Sequence, residues 1–153
     1  MIVFMVLTIG FLLNLLVTRL YFKQAKVDLS GRIALSVMLL FAAIGHFKFP
    51  EGMALMIPDF IPYKIELIYL TGVIEIMAAI GLLVKKTRRL TGILLIVFFI
   101  IILPANINAT LHHLDYQTGT NDGPGLSYLW YRIPFQLVLI LWAYWFGVRE
   151  VEK

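Results

Sequence analysis

Glu75 is the one charged residue between Leu67 and Val84, in a run otherwise made of apolar and uncharged side chains. An ionised carboxylate held in hydrocarbon costs roughly 2.5–3.5 kcal/mol on insertion scales, so it normally has a partner or a task. It can balance a cation or carry a proton. Arg132 lies six residues into a later apolar run, and Gln136 follows one helical turn on, on the same face. A guanidinium and an amide at that spacing can hold a carbonyl or an anionic group. Asn106, Thr110 and His113 follow the i, i+4, i+7 spacing of one helix face, and His46 closes another apolar run. Glu75 and Arg132 are therefore the candidate catalytic pair, with His46, Asn106, His113 and Gln136 as the polar wall of a ligand site.

The simplest alternative is that Glu75 and Arg132 form a structural ion pair that fixes helix register. Against it stands the number of further polar groups gathered at one depth, which suggests a hydrated or ligand-filled cavity. A metal role is disfavoured. His112 and His113 are adjacent, so on a helix they point about 100° apart, and neither an HxxxH nor a Glu-x-x-His pair occurs. No metal is expected.

These residues must be positioned by membrane helices. Of 153 residues, 61% are hydrophobic and 14% charged, against roughly 45–50% and 25% in soluble domains. A soluble protein of this size has too little interior to hide the apolar runs together. Five spans are predicted: about Ile2 to Leu20, Ile33 to Phe47, Leu67 to Val84, Leu90 to Leu111 and Leu126 to Val148. The second is short and could begin at Asp28 to Gly31, with Asp28 or Ser30 capping it. The first carries no basic residue ahead of it and is read as a retained helix, not a secretory signal. The absence of cysteine excludes disulfides, iron–sulfur ligation and thiol redox chemistry by this chain.

Charge gives the orientation. Arg19, Lys23, Lys26 and Arg32 fall in the first connection, Lys85, Lys86, Arg88 and Arg89 in the third, and Arg149 and Lys153 in the tail, ten of the thirteen basic residues. Five spans with the N-terminus outside and the C-terminus in the cytoplasm satisfy the positive-inside rule. The net charge of +4 is then a topology signal next to anionic lipid, and no nucleic acid is expected. Tyr128, Trp130 and Tyr131 at one end of the last span, with Trp142, Tyr144 and Trp145 at the other, read as lipid anchors.

The outer connections differ. Residues 50–62 are apolar but broken by Pro50, Pro58 and Pro62, and are expected to lie along the interface or to re-enter shallowly, where they could lid a pocket. Asp115 to Gly125 carries Asn121-Asp122-Gly123-Pro124 and reads as a solvated turn. Pro104 and Pro134 are expected to kink their helices, Asn14 to bond across helices, and Gly72, Ala78, Ala79 and Gly81 to allow close packing. Residues 1–153 form a single bundle domain.

Gly45-His46-Phe47, Met56-Ile57-Pro58-Asp59-Phe60-Ile61-Pro62, Thr71-Gly72-Val73-Ile74-Glu75, Pro104-Ala105-Asn106-Ile107 and Arg132-Ile133-Pro134-Phe135-Gln136 together resemble the DoxX-like family of small bacterial membrane proteins. The resemblance covers about Ser30 to Trp145. It implies an all-α protein with a four-helix transmembrane core in the bacterial inner membrane, here with an extra N-terminal helix. Some relatives are subunits of quinone-linked oxidoreductases such as thiosulfate:quinone oxidoreductase, others are assembly factors, and distantly similar bundles bind or isomerise sterol-like ligands.

The leading expectation is a multi-pass membrane protein whose polar pocket, in the outer half of the bundle, takes a small apolar or quinone-like molecule within an oxidoreductase system. Glu75 would exchange protons while Arg132 and Gln136 hold the ligand's polar head. No dinucleotide or haem motif is present, so quinone is the one cofactor implied and electrons would come from a partner or from the ligand. Two other classes remain open: an assembly or interaction protein, with a protein partner or a second copy, in which the polar cluster is structural, and a proton-coupled carrier.

Overall fold

A computed structural model describes residues 2–149. Lys153 of the expected basic tail lies outside them. The regular elements among the described residues are helices: α1 (Ile2–Phe22), α2 (Val27–Lys48), the short α3 (Pro50–Ala54), α4 (Lys64–Leu83), α5 (Arg88–Ile101), α6 (Leu103–Leu111) and α7 (Leu129–Ala143), with a 3-10 turn at Gly125–Tyr128 and a π turn at Tyr144–Val148. Five helical stretches are long and apolar enough to cross a membrane, with α5 and α6 counting as one and α7 with its flanking turns as another. The outer surface matches that role, since Leu20 (70% exposed), Met77 (66%) and Leu141 (63%) all face outward.

The core sits where four helical stretches meet. Leu35, Met38 and Leu39 of α2 pack with Ala79 and Leu82 of α4, Leu95 and Phe99 of α5, and Phe135 and Leu139 of α7. α1 buries only Leu7 and Thr18. It leans on α2 and reaches α7 through edge-on ring contacts of Phe4 with Phe135 and Phe11 with Trp142. Asn14 differs from its expected use: its amide donates to the Gly10 carbonyl at 2.9 Å within α1. On a peripheral helix, the carbonyl one turn back is the acceptor within reach.

α2 begins at Val27, earlier than Ile33, so the second span reaches full length. No side chain caps it: Asp28 sits inside the first turn, and the buried Ser30 hydroxyl has no hydrogen-bond partner. Pro104 accompanies a one-residue interruption of the fourth span, bridged by the Ile102 N–H to Phe98 and Asn106 N–H to Ile102 bonds. α5 ends at Ile101, Ile102 is a turn residue, and α6 restarts with Pro104 in its first positions, where a missing N–H costs nothing. Pro134 stays inside α7. Trp142 also departs from its expected role, because its indole N–H donates to the Gly31 carbonyl at 3.0 Å and ties α7 to α2.

The segment after α2 folds into α3 and a turn that leads to Tyr63, where a left-handed residue (φ 55°) starts α4. Asn108 of α6 donates to the Met56 carbonyl at 3.0 Å and holds this segment down. Lys64 donates to Asp59 at 2.6 Å. That bond and the ammonium charge hold the fully exposed Asp59 carboxyl below its usual range, so the pair's contribution is present at neutral pH and fades as acid protonates Asp59. Gly52 lies directly against the Tyr116 backbone, with no room for a Cβ. Gly52→Ala is expected to push α3 off the 115–120 turn at a local cost of about 1–3 kcal/mol, read as faster amide exchange across residues 50–57 while α2 and α4 keep their protection.

Candidate functional site

α2 and α4 are antiparallel neighbours, and Gly72 sets their approach: a Cβ there would fall 2.9 Å from His46 Cβ. His46 consequently lies over the buried stripe of α4 that carries Thr71, Gly72 and Glu75. Its Nε2 stands 3.4 Å from Glu75 Oε2, and its Nδ1 stands 3.0 Å from Thr71 Oγ1. The ionic partner of the carboxylate is His46, and Arg132 does not take that place. The His46 side chain is 17% exposed and that of Glu75 is 7%, so the imidazole forms the accessible rim and the carboxylate the floor.

The Thr71 hydroxyl donates to the Ile68 carbonyl at 2.8 Å, which leaves its oxygen able to accept from a His46 Nδ1–H. In that tautomer the Nε2 edge of the ring is turned to Glu75, and the His46–Glu75 dyad is held in place from the Thr71 side. Thr71 was legible in principle as a partner, since it precedes Glu75 by one turn on the same face.

Gln136 comes to nearly the same level. α4 and α5 run antiparallel and meet where Gly81 touches Thr91. Six residues back from Gly81 is Glu75 and eight on from Thr91 is Phe99, which places the two within about 3 Å along the bundle axis. The Gln136 amide nitrogen donates to the Phe99 carbonyl. Its Oε1 is buried without a hydrogen-bond partner among the described residues, and so are Arg132 Nε and the Tyr131 hydroxyl, while Glu75 Oε2 has only the His46 contact at 3.4 Å. Orphaned polar atoms are costly, of order 1–3 kcal/mol each, and call for an occupant that the protein itself does not supply.

The remaining candidates lie as follows. Arg132 is half-buried one turn from Gln136 towards the start of α7, with its guanidinium 5.9 Å from the centre of the Phe135 ring. Asn106 is buried and donates to the Ile102 carbonyl at 2.9 Å, across the break in the fourth span. The predicted Asn106–Thr110–His113 face stops at Thr110. α6 ends at Leu111, and His113 takes a left-handed conformation (φ 52°) whose exposed ring lies over Gly125. The spacing could not register the end of the helix. Among the described residues no three His, Asp or Glu side chains gather as a metal site.

Beside the dyad, an open groove of about 640 Å³ runs between the end of α2, α3 and the 116–119 turn. Phe47, Lys48, Phe49, Gly52 and Tyr116 line it, so its near wall begins at the residue after His46. No curated protein and no solved structure matches the chain. Residues 35–147 match a family model, which runs from within α2 through α7 and includes the dyad and Gln136 but leaves α1 outside. The chain thus belongs to the family described as a domain of unknown function, DUF8561.

Proposed function

We propose that this protein is a multi-pass membrane protein, resident in a bacterial plasma membrane with its N-terminus outside, that binds a small quinone-like molecule at the Thr71–His46–Glu75 end of the bundle and exchanges protons with it. The observation that carries this is a buried Glu75 carboxyl facing the partly exposed His46 imidazole, near the level of a buried Gln136 acceptor without a hydrogen-bond partner among the described residues. A quinol hydroxyl would donate to Gln136 Oε1 or Glu75, and Arg132 Nε would donate to the carbonyl of the oxidised form. Oxidation of such a quinol releases two electrons and two protons. The dyad takes the protons one at a time towards the groove, and the electrons go to a redox protein partner. The resemblance to DoxX-like proteins, some of them quinone-linked oxidoreductase subunits, points the same way.

Protein purified in mild detergent is titrated with a short-chain ubiquinone or menaquinone analogue and followed by quenching of aromatic fluorescence. Saturable binding is expected, weakened about tenfold or more in Gln136→Leu, which removes the orphaned acceptor. Binding unchanged in both Gln136→Leu and Glu75→Gln removes the reading. A second reading, an assembly or interaction protein, draws on the two amides that donate to backbone carbonyls around Ile102. It predicts a stoichiometric protein partner in native membranes that is retained by Glu75→Gln.

A further inference from the structure

At the opposite end of the bundle, two arginines converge on the π turn that finishes α7. Gly31 of α2 lies flat on the Phe146 ring, and its carbonyl takes the Trp142 indole N–H. Arg32 is the next residue. From the other side, Gly92 of α5 packs on the Gly147 backbone, where a Cβ would fall 2.9 Å from the carbonyl carbon. Arg88 precedes Gly92 by one turn on the same face. Both guanidiniums are thereby brought to one corner, close enough for Arg32 to feel the charge of Arg88 as well as that of Asp28.

Among the described residues the carboxylate that acts on Arg32 is Asp28, and Arg149 lies over the Trp145 ring at 4.4 Å. The Arg88 Nε is buried and has no hydrogen-bond partner among the described residues. Nε–H together with one terminal N–H is the side-on fork that grips two oxygens of a phosphate or carboxylate. Like-charged guanidiniums held together by rigid glycine contacts, with one fork unfilled, describe an oxyanion site. Continuing from this corner, an open apolar groove of about 340 Å³ runs up α7 between Val138, Leu141, Trp142, Trp145 and Phe146. Val138 and Phe146 are about 12 Å apart along the helix, a length suited to an acyl chain.

We propose that this corner binds one acidic phospholipid, its phosphate between Arg32 and Arg88 and an acyl chain in the α7 groove. The charged head meets two cations and the tail meets only apolar side chains, which an inorganic anion or a neutral lipid cannot both satisfy.

Full-length protein is stripped of lipid in neutral detergent and titrated separately with phosphatidylglycerol, phosphatidylcholine and inorganic phosphate. Bound copies are counted by native mass spectrometry. One phosphatidylglycerol is expected to be retained at least about tenfold more tightly than phosphatidylcholine. That preference falls about tenfold in Arg88→Gln and in Arg32→Gln, and only in part in Arg88→Lys, which keeps the charge but loses the fork. Trp145→Ala weakens the lipid while leaving inorganic phosphate unaffected. Equal retention of both lipids by the native chain overturns the proposal, as does a preference undiminished in folded Arg88→Gln. Phosphate binding as tight as phosphatidylglycerol, and displacing it, overturns the lipid and leaves a free-phosphate site. A phosphatidylglycerol preference that appears only in Glu150→Gln/Glu152→Gln shows that the tail's own carboxylates fill the fork, and also overturns it.

Discussion

His46→Leu is expected to destabilise the folded protein by about 3–5 kcal/mol, because it leaves the Glu75 carboxylate buried with its ionic partner gone. Glu75→Leu removes the charge itself and is expected to cost less. The double variant His46→Leu/Glu75→Leu should recover most of the loss, since apolar replacement of a buried ion pair is often neutral. Thermal denaturation in one detergent, for the wild type, both singles and the double, closes the cycle. A coupling within about 0.5 kcal/mol of zero would mean that the two side chains do not act as a pair. The cycle also separates stability from use. A double variant that is as stable as the wild type yet fails to bind the quinone analogue shows that the pair serves the ligand, whereas one that still binds it shows that the pair serves only the fold.

Gly92→Leu is the second large effect. α5 and the end of α7 touch through backbone: a Cβ on Gly92 would fall 2.9 Å from the Gly147 carbonyl carbon, and one on Gly147 would fall 3.0 Å from Gly92 Cα. Neither neighbour is a side-chain tip that can swing away. In a bilayer, helices gain little from hiding apolar area from water, and close van der Waals contact at small residues supplies much of their association. Leucine must therefore pry the two helices apart, at an expected cost of roughly 1–3 kcal/mol or more, with loss of the Arg88-dependent lipid preference in the same variant. Gly92→Ala should cost less than half as much. A Gly92→Leu protein with native melting temperature and native lipid retention would show that the contact is dispensable.

Much of the bundle was legible from apolar runs alone, because a helix that must satisfy its own backbone in hydrocarbon needs about twenty uncharged residues and writes that length into the chain. What the runs could not carry was where each helix breaks. Ile102 is as apolar as its neighbours, and only Pro104 hinted that the fourth span is two pieces. The site was half legible for a related reason. The rise per residue gave depth, and from it Glu75 and Gln136 were expected near one level. Depth says nothing about azimuth. Which cation faces Glu75 depends on how far each helix is rotated, and that is set by contacts such as Gly72 on His46, which favour the imidazole over Arg132. Asn14 and His113 were misplaced on the same account: a polar side chain in a helix has a carbonyl of its own within reach, and a helix can end before its periodic pattern does.

The fourth span is pinned from two sides at its one-residue interruption. The main-chain ladder continues through Ile102, whose N–H donates to the Phe98 carbonyl and whose own carbonyl accepts from the Asn106 N–H. Side-chain amides hold neighbouring carbonyls as well, Phe99 by Gln136 and Ile102 by Asn106. α6 is also tied to the segment after α3, where Asn108 donates to the Met56 carbonyl. The first half of this span is thus anchored to α7 and its second half to the connection that follows α3, so one span staples together two parts of the chain that lie far apart in sequence.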